Sequence, residues 1–259
     1  MTNKVLETDG LCKKFGDFTA VKDVSFAVER GNIHALVGPN GAGKTTLFNL
    51  ITRFISPTEG EILFEGVPVS QVAPAEIARR GIIRSFQITS VFSNLTVLDN
   101  VRVVLLRKMG WSFSFVKSRK ALDKMNDEAM EALDCVRLGE FASEIAGNLP
   151  YGRKRALELA VTLAMDPVLM LLDEPTQGMG YEDVQHIAGL IKEVSAGRSV
   201  LMVEHNMTMV AQIADRLTVL QRGEIIADGR YEDVSKDPEV ISAYLGGGGV
   251  AREYEHATQ

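Results

Sequence analysis

The sequence has few cysteines and no long uncharged apolar run, and both shortages restrict what the chain can be. Only two cysteines, Cys12 and Cys135, occur among 259 residues, and they lie far apart. They form no C-x-x-C pair, and the four scattered histidines add no zinc-type cluster. Sparse cysteine fits a reducing compartment such as the cytosol. No apolar run approaches the ~18–20 residues that span a bilayer, and the first residues lack the apolar core of a signal peptide.

Basic residues are also in the minority. Lys and Arg number 28 against 34 Asp and Glu, which gives a net charge of −6. This balance argues against a broad electrostatic surface for nucleic acid, although it leaves room for a small local one. Hydrophobic residues make up 46% and charged residues 24%, as in ordinary globular proteins. The length suits one large domain, or one domain with a sizeable insertion.

Strand and helix patterns alternate at both ends of the chain. Residues 4–31 predict short strands, and later segments predict further strands at Ile33–Gly38, Glu61–Phe64, Val168–Leu172 and Ser199–Val203, helices at Lys44–Arg53 and Val184–Val194, and a hairpin at Leu217–Gln221 and Ile225–Asp228. Such alternation predicts an α/β fold in which helices cover a mostly parallel core sheet.

The middle of the chain has a different pattern. Apolar residues recur there at spacings of three and four, which predicts helices at Val97–Lys108, Ser118–Arg137 and Arg153–Met165. We therefore expect one domain over 1–259, with a core at 1–87 and 164–259 and an all-helical insertion at 88–163. A run of four glycines, residues 246–249, opens a tail over 246–259 that we expect to be flexible.

The strongest chemical pattern is a glycine-rich loop between a predicted strand and a predicted helix. Residues 38–46 read GPNGAGKTT, which matches G-x-x-x-x-G-K-[ST]. Glycines let successive N–H groups face phosphate oxygens, the helix N-terminus adds its dipole, and a threonine hydroxyl can bind Mg²⁺. A tight turn that carries a lysine by chance would give the same letters. The residues predicted to hold the triphosphate of ATP are Asn40, Gly41, Ala42, Gly43, Lys44, Thr45 and Thr46, with Thr45 also a Mg²⁺ ligand.

A second acidic site follows a strand that is apolar throughout. The run Val168–Leu172 leads directly into Asp173, Glu174 and Pro175. Ligand sites in α/β sheets lie at the carboxyl ends of strands, so Asp173 could hold Mg²⁺ through a water molecule. Glu174 could polarise the attacking water as a general base. The alternative is a surface Asp-Glu pair that caps a turn.

The glycine-rich loop is followed along the chain by the acidic site, and with further segments they make the chain resemble the ABC ATPase family along nearly its whole length. Gln87 matches the glutamine that touches Mg²⁺ and the lytic water, residues 149–155 (LPYGRKR) occupy the signature position, and His205 matches the switch histidine. Phe15 fits the aromatic residue that stacks on adenine, and the resemblance adds Val21 to the nucleotide site. It implies a P-loop NTPase fold with an antiparallel β subdomain. The catalytic residues would be Glu174, His205 and Gln87.

Two departures from the family pattern affect expected turnover rather than nucleotide binding. Pro150 stands where the signature usually has Ser, and proline offers neither a hydroxyl nor an N–H group. The amides of Tyr151 and Gly152 can still face an anion, and Arg153 would add charge nearby. Gly180 stands where Asp is usual, so a contact between subunits there would depend on backbone groups. A nucleotide-binding regulator without turnover therefore remains an alternative.

The resemblance implies that one chain is one of two ATPase subunits that work together. In this family the signature loop contacts ATP held by a second ATPase subunit, identical or related, and membrane permease subunits form the channel. The expected position is the cytoplasmic face of the membrane, with a periplasmic or extracellular substrate-binding protein as an indirect partner and no nucleic acid. Phe92 and Leu95 are candidates for contacting the permease, unless they only pack within the insertion.

Several segments resemble ATPases that import branched-chain or other hydrophobic amino acids. They are residues 48–52 (FNLIT), 81–87 (GIIRSFQ), the Leu-x-Tyr-Gly signature and residues 237–246 (DPEVISAYLG). Amide and urea importers share much of this likeness. Two further functions stay open: the ATPase of a lipid or lipopolysaccharide exporter, and a soluble ABC protein acting on nucleic acid or ribosomes.

Overall fold

The computed structural model describes residues 3–85, 91–110 and 119–245. Its strands, in chain order, are β1 Lys4–Phe15, β2 Phe18–Glu29, β3 Ile33–Val37, β4 Glu59–Phe64, β5 Val67–Pro68, β6 Ile82–Ser85, β7 Leu169–Asp173, β8 Ser199–Val203, β9 Arg216–Gln221 and β10 Glu224–Gly229. Its helices are α1 Lys44–Ile51, α2 Pro74–Arg79, α3 Val97–Lys108, α4 Arg119–Cys135, α5 Tyr151–Ala164, α6 Tyr181–Val194, α7 Met207–Ile213, α8 Tyr231–Val234 and α9 Pro238–Leu245.

The chain divides into two compact units. The first lies within Met1–Arg84, Val168–Pro175 and Ser195–Gln259, and the second within Ser85–Pro167 and Thr176–Val194. The second unit contains α6 as well as α3 to α5, whereas the predicted insertion ended at residue 163. The predicted division into a core, an insertion and a tail stays a prediction, and residues 246–259 lie outside the described part of the chain.

A six-stranded sheet forms the centre of the first unit. Its strand order is β10-β9-β3-β8-β7-β6, and β3 pairs in parallel with both β8 and β9, as β7 does with β8. All five residues of β3, of β7 and of β8 are buried, which agrees with their mainly apolar sequences. Parallel pairing brings the carboxyl ends of these strands to one edge, where the loops after Val37, Asp173 and Val203 begin.

A second, antiparallel sheet in the same unit has the strand order β2-β1-β4-β5. Residues 4–31 therefore form two strands of twelve residues each rather than several short strands. Register shifts interrupt the β1–β2 pairing between Thr8 and Leu11, where Gly10 has a φ of 56°. These irregularities break the alternation of apolar residues that marks a single strand in sequence.

The second unit is built from helices α3 to α6. Thr96 caps α3, because its hydroxyl oxygen accepts a hydrogen bond of 3.0 Å from the N–H group of Asp99. The buried residues of α4 are Met125, Ala129, Ala132 and Leu133, a spacing of three and four that places them on one face. Within the described ranges, no helix is both long and apolar enough to cross a membrane.

Candidate functional site

The glycine-rich loop connects β3 to α1, and two of its glycines are required by close backbone contacts. Gly38 has a φ of 152°, and a Cβ atom there would lie 2.1 Å from the carbonyl oxygen of Leu220. Gly43 has a φ of 104°, and its Cβ atom would lie 2.5 Å from the carbonyl oxygen of Ala20. Any other residue would clash at both positions, so the loop can take this shape only with glycine.

The backbone N–H groups of this loop are open to a ligand. Among the described residues, no intramolecular acceptor is found for the N–H groups of Asn40, Gly41, Gly43, Lys44, Thr45 and Thr46. Several consecutive donors at the start of α1 form a site suited to an anion, because the helix dipole adds partial positive charge. The residues present therefore fit the triphosphate of ATP, as the sequence pattern predicts.

Lys44 is the charged group of the loop. Its Nζ atom donates to the carbonyl oxygens of Gly38 at 2.6 Å and Pro39 at 3.0 Å, so the ammonium group is held across the loop. Burial lowers the pKa of Lys44 from its usual 10.5, while the carboxylates of Glu174 and Asp173 act in the opposite direction. The ammonium group thus lies in the field of both acids.

Glu174 and His205 meet at the carboxyl edge of the parallel sheet. The N–H group of Glu174 donates to the carbonyl oxygen of Val203 at 2.9 Å, and His205 Nε2 lies 2.8 Å from Glu174 Oε1. Glu174 has a φ of 48°, a left-handed conformation that costs energy for a residue with a side chain. The side chain of Glu204, which is buried, accepts hydrogen bonds from the N–H groups of His205 at 2.8 Å and Asn206 at 3.1 Å and so fixes the turn that carries the histidine.

Asp173 ends β7, is 2% exposed, and has an arginine partner that sequence reasoning missed. Arg84 Nη2 lies 2.5 Å from Asp173 Oδ2, and Arg84 Nη1 donates to Asn49 Oδ1 at 2.6 Å. The only sequence signal is a single charged residue in the short apolar strand β6, which does not reveal its partner.

Phe15 and Val21, the other two residues expected in the nucleotide site, lie in different environments. Phe15 is 49% exposed at the end of β1, so its ring is accessible to a ligand, and Lys13 Nζ lies 5.0 Å from the ring centre. Val21 is fully buried in the apolar core of the first unit. A contact between Val21 and nucleotide therefore stays a prediction.

The signature segment lies in the second unit, at the start of α5. Pro150 is the N-cap residue, with φ −56° and ψ 157°, and it makes no side-chain cap hydrogen bond. The hydroxyl group of Tyr151 donates to the carbonyl oxygen of Gln177 at 2.9 Å. A Cβ atom at Gly152 would lie 2.8 Å from Asp183 Oδ1, so this position has little room for any side chain.

Arg153 was expected to add positive charge beside the signature amides. Its guanidinium group lies 3.9 Å from the ring centre of Phe141, within the second unit, and its effect on an anion at the amides stays a prediction. The stacking explains why an arginine is tolerated at this position, since an aromatic face holds a guanidinium group well.

The remaining predicted residues have less structural support. Gln87 lies outside the described residues, as does the stretch 88–90. Phe92 is 54% exposed, and Leu95 is partly buried, with its N–H group donating to the carbonyl oxygen of Phe92 at 3.0 Å. Gly180 has open space where a Cβ atom would stand, so the structure does not demand glycine there.

Comparison with known proteins decides the family. The model of the ABC transporter family matches residues 21–177, which include the glycine-rich loop, the signature segment and the acidic site. The chain belongs to the ABC transporter family. A second model, for the branched-chain amino acid ATP-binding cassette transporter, matches residues 224–250 of this ABC ATPase.

Individual relatives cover almost the whole ABC ATPase. The high-affinity branched-chain amino acid transport ATP-binding protein BraF of Pseudomonas aeruginosa is 36% identical over 253 residues, which is 95% of this chain and 99% of that protein. The crystal structure of an ABC transporter cassette in an ADP conformation is 30% identical, with a TM-score of 0.84, and the match covers 95% of this chain and 100% of that one. A dimeric cassette in a post-hydrolysis state bound to ADP and Pi is 25% identical, with a TM-score of 0.72 over 87% and 98% of the two chains.

These findings confirm the predicted fold class and enzyme class. The chain is an ATP-binding cassette with the P-loop fold of ABC ATPases, including a mostly parallel core sheet and an antiparallel sheet. It is an ATPase, and it binds nucleotide as members of this family do. The roles of the individual residues stay predictions.

Proposed function

We propose that this ABC ATPase hydrolyses ATP to power the import of branched-chain or other hydrophobic amino acids. The main observation in support of ATP hydrolysis is the 2.8 Å contact between His205 Nε2 and Glu174 Oε1. Glu174 directly follows Asp173 in the sequence. Two family models and the relative BraF support the cargo class and favour it over a lipid exporter or a soluble ABC protein.

Glu174 is the proposed general base. Its carboxylate would accept a proton from the attacking water, and His205 would hold the carboxylate in place through the hydrogen bond at Oε1. Lys44 and the open N–H groups of the loop would bind phosphate oxygens and stabilise the negative charge that develops on them. The left-handed backbone at Glu174 supports this role, because such conformations concentrate at active sites.

Mg²⁺ is the proposed metal cofactor, and when bound it would neutralise charge on the phosphate oxygens. The hydroxyl group of Thr45, which is exposed at the start of α1, and the carboxylate of Asp173 are suitable oxygen ligands. Gln87 is the third proposed ligand. Oxygen donors of this kind are those that Mg²⁺ prefers in proteins.

The proposed assembly contains two ATPase subunits and the permease subunits of a transporter. In it, Tyr151 and Gly152 of one subunit would face the ATP held by the other, so that hydrolysis loosens the pair. A dimeric cassette bound to ADP and Pi supports the pairing. The partner ATPase would be identical or related, the substrate-binding protein an indirect partner, and the cytoplasmic face of the membrane the site of attachment.

The proposal is tested on the complete transporter purified from its native membrane through a tag on this chain and reconstituted in vesicles. ATP hydrolysis is measured with the co-purified binding protein and leucine, with urea, or with lipid alone. Stimulation by leucine and uptake of labelled leucine support the proposal, with Glu174→Gln as the inactive control. Stimulation by urea or lipid alone, without a leucine response, would reject the cargo class while keeping the ATPase.

A further inference from the structure

Arg84 joins the acidic site to the helix that follows the phosphate loop. It lies on β6, its side chain is 9% exposed, and its two terminal nitrogens have different partners. Nη2 lies 2.5 Å from Asp173 Oδ2, and Nη1 lies 2.6 Å from Asn49 Oδ1 on α1. One planar guanidinium group therefore fixes the distance between the end of β7 and the middle of α1.

The same group supplies the charge that Asp173 needs. A carboxylate that is only 2% exposed is costly to bury unless a cation and hydrogen bonds compensate it. The guanidinium group of Arg84 also lies 5.6 Å from the ring centre of Phe48, a contact that favours its present position. Arg84 thus compensates the charge of Asp173, and its hydrogen bond uses only one of the two carboxylate oxygens.

We propose that Arg84 is a positioning residue that sets the affinity of the site for Mg²⁺. The inference rests on the proposed function, in which Asp173 is the carboxylate that holds the metal. Arg84 orients Asp173 through Oδ2, leaves Oδ1 for the metal or its water, and opposes a second cation by its own charge. The negative charge of ATP offsets the repulsion between Arg84 and the metal ion. Mg²⁺ should therefore bind weakly to the protein without nucleotide and more tightly when ATP is bound.

The test uses Mn²⁺ as the metal probe, followed by electron paramagnetic resonance on the full chain with and without a non-hydrolysable ATP analogue. Arg84→Met and Arg84→Gln remove the charge, and glutamine can still donate to Asp173. In both variants, the midpoint, which is the Mn²⁺ concentration that half-saturates the site in the presence of the analogue, should fall by at least about tenfold. The reason is that the charge of Arg84 opposes a second cation strongly in a partly buried site. Arg84→Lys loses the planar fork but keeps the positive charge that opposes the metal, so it should stay within about twofold of the wild type.

Several outcomes would overturn the role of Arg84. A midpoint that is unchanged or raised in the neutral variants, with lower melting temperatures, would make the arginine purely structural. Equal shifts in Arg84→Lys and Arg84→Met would show that hydrogen-bond geometry, and not charge, decides the affinity. If one neutral variant does not fold, the other decides the result.

A parallel variant separates this inference from the proposed function. Asp173→Asn should lose most Mn²⁺ binding in the presence of the analogue. If it binds Mn²⁺ as the wild type does, Asp173 is not the metal carboxylate and the proposed function fails at this residue. If Asp173→Asn loses the metal while the neutral Arg84 variants keep the wild-type midpoint, only the inference about Arg84 fails.

Discussion

His205 Nε2 lies 2.8 Å from Glu174 Oε1, and the two residues follow neighbouring parallel strands. Asp173 pairs in register with Val203, so each residue stands just past the carboxyl end of its strand. The contact therefore depends on the pairing of β7 with β8, and sequence distance alone would not reveal it. In the proposed function, this contact would let the histidine hold the carboxylate in place.

Replacement of Glu174 by glutamine should separate ATP binding from hydrolysis. Glutamine has the same shape and can keep a hydrogen bond to His205, but it cannot accept a proton from water. We expect hydrolysis to fall by roughly 10²- to 10⁴-fold, the usual contribution of a general base, while ATP affinity stays close to that of the wild type. Steady-state ATPase assays and calorimetric titration with ATP give the two quantities.

The matched control for this variant is Glu182→Gln, because Glu182 is exposed in the first turn of α6. It should leave both hydrolysis and affinity unchanged. Size-exclusion chromatography with ATP should show a stable dimer only for Glu174→Gln. Wild-type turnover in Glu174→Gln would remove Glu174 from the role of base.

Replacement of Lys44 by alanine should abolish tight nucleotide binding. The variant loses the ammonium group that spans the loop through Gly38 and Pro39, and charge-assisted hydrogen bonds are the strong ones. We expect the Kd for MgATP to rise by at least about 100-fold, since two charge-assisted hydrogen bonds from the ammonium group to phosphate oxygens would contribute roughly 3 kcal/mol or more. Fluorescence titration with a labelled ATP measures the change.

Lys4→Ala is the control for Lys44, since the side chain of Lys4 forms an ion pair with Glu7 at the surface. Its nucleotide affinity and melting temperature should match those of the wild type. Unchanged affinity in Lys44→Ala would count against the assignment of the whole phosphate loop.

Replacement of Pro150 by serine should raise both helix stability and hydrolysis. Pro150 is the N-cap of α5 without a side-chain cap, and its φ and ψ suit serine, whose hydroxyl oxygen can accept from the first turn. A new donor to ATP bound by a partner subunit would speed hydrolysis by up to about tenfold. Pro150→Ala removes the proline without adding a hydroxyl and should show neither gain. A drop in hydrolysis for Pro150→Ser would indicate a site built around proline.

Much of the fold could be predicted from the sequence because its elements have regular periods. The helix predicted at Val97–Lys108 has the bounds found in α3, where Thr96 provides a local start signal. The strand before Asp173 was also predicted, since a short apolar run ending in acids is typical of a buried parallel strand. Signals of this kind reside in neighbouring residues, so they need no knowledge of the rest of the chain.

Other features depend on residues that are distant in sequence and could not be predicted. The partnership of Arg84 with Asp173 spans 89 positions and exists because β6 lies beside β7 in the sheet. Gly38 and Gly43 are required by the carbonyl oxygens of Leu220 and Ala20, which only the folded chain brings near the loop. The stacking of Arg153 on Phe141 has the same origin.

His34 should make the stability of the chain depend on pH in the mildly acidic range. It is fully buried on β3, and its Nε2 atom lies 2.7 Å from Thr218 Oγ1, whose hydroxyl donates to Asp228 at 2.8 Å. Burial lowers the pKa of His34 to about 4, although the carboxylate of Asp228 raises it; the guanidinium group of Arg216 adds to the lowering.

Because the folded pKa lies below the usual 6.5, the unfolded chain takes up a proton first as the pH falls. The contribution of His34 is therefore complete above pH 6.5 and is lost progressively between 6.5 and about 4. A difference of this size corresponds to about 3 kcal/mol of unfolding free energy at most.

Urea unfolding measured from pH 7.5 to pH 4 should show this slope in the wild type and a flatter curve in His34→Gln, whose amide can still donate to Thr218. His186→Gln, at an exposed position of α6, should keep the wild-type slope. Asp228 contributes mainly at the acid end of this range and below it, since its folded pKa is lowered from 3.8. Equal slopes in His34→Gln and the wild type would assign the pH dependence to other groups.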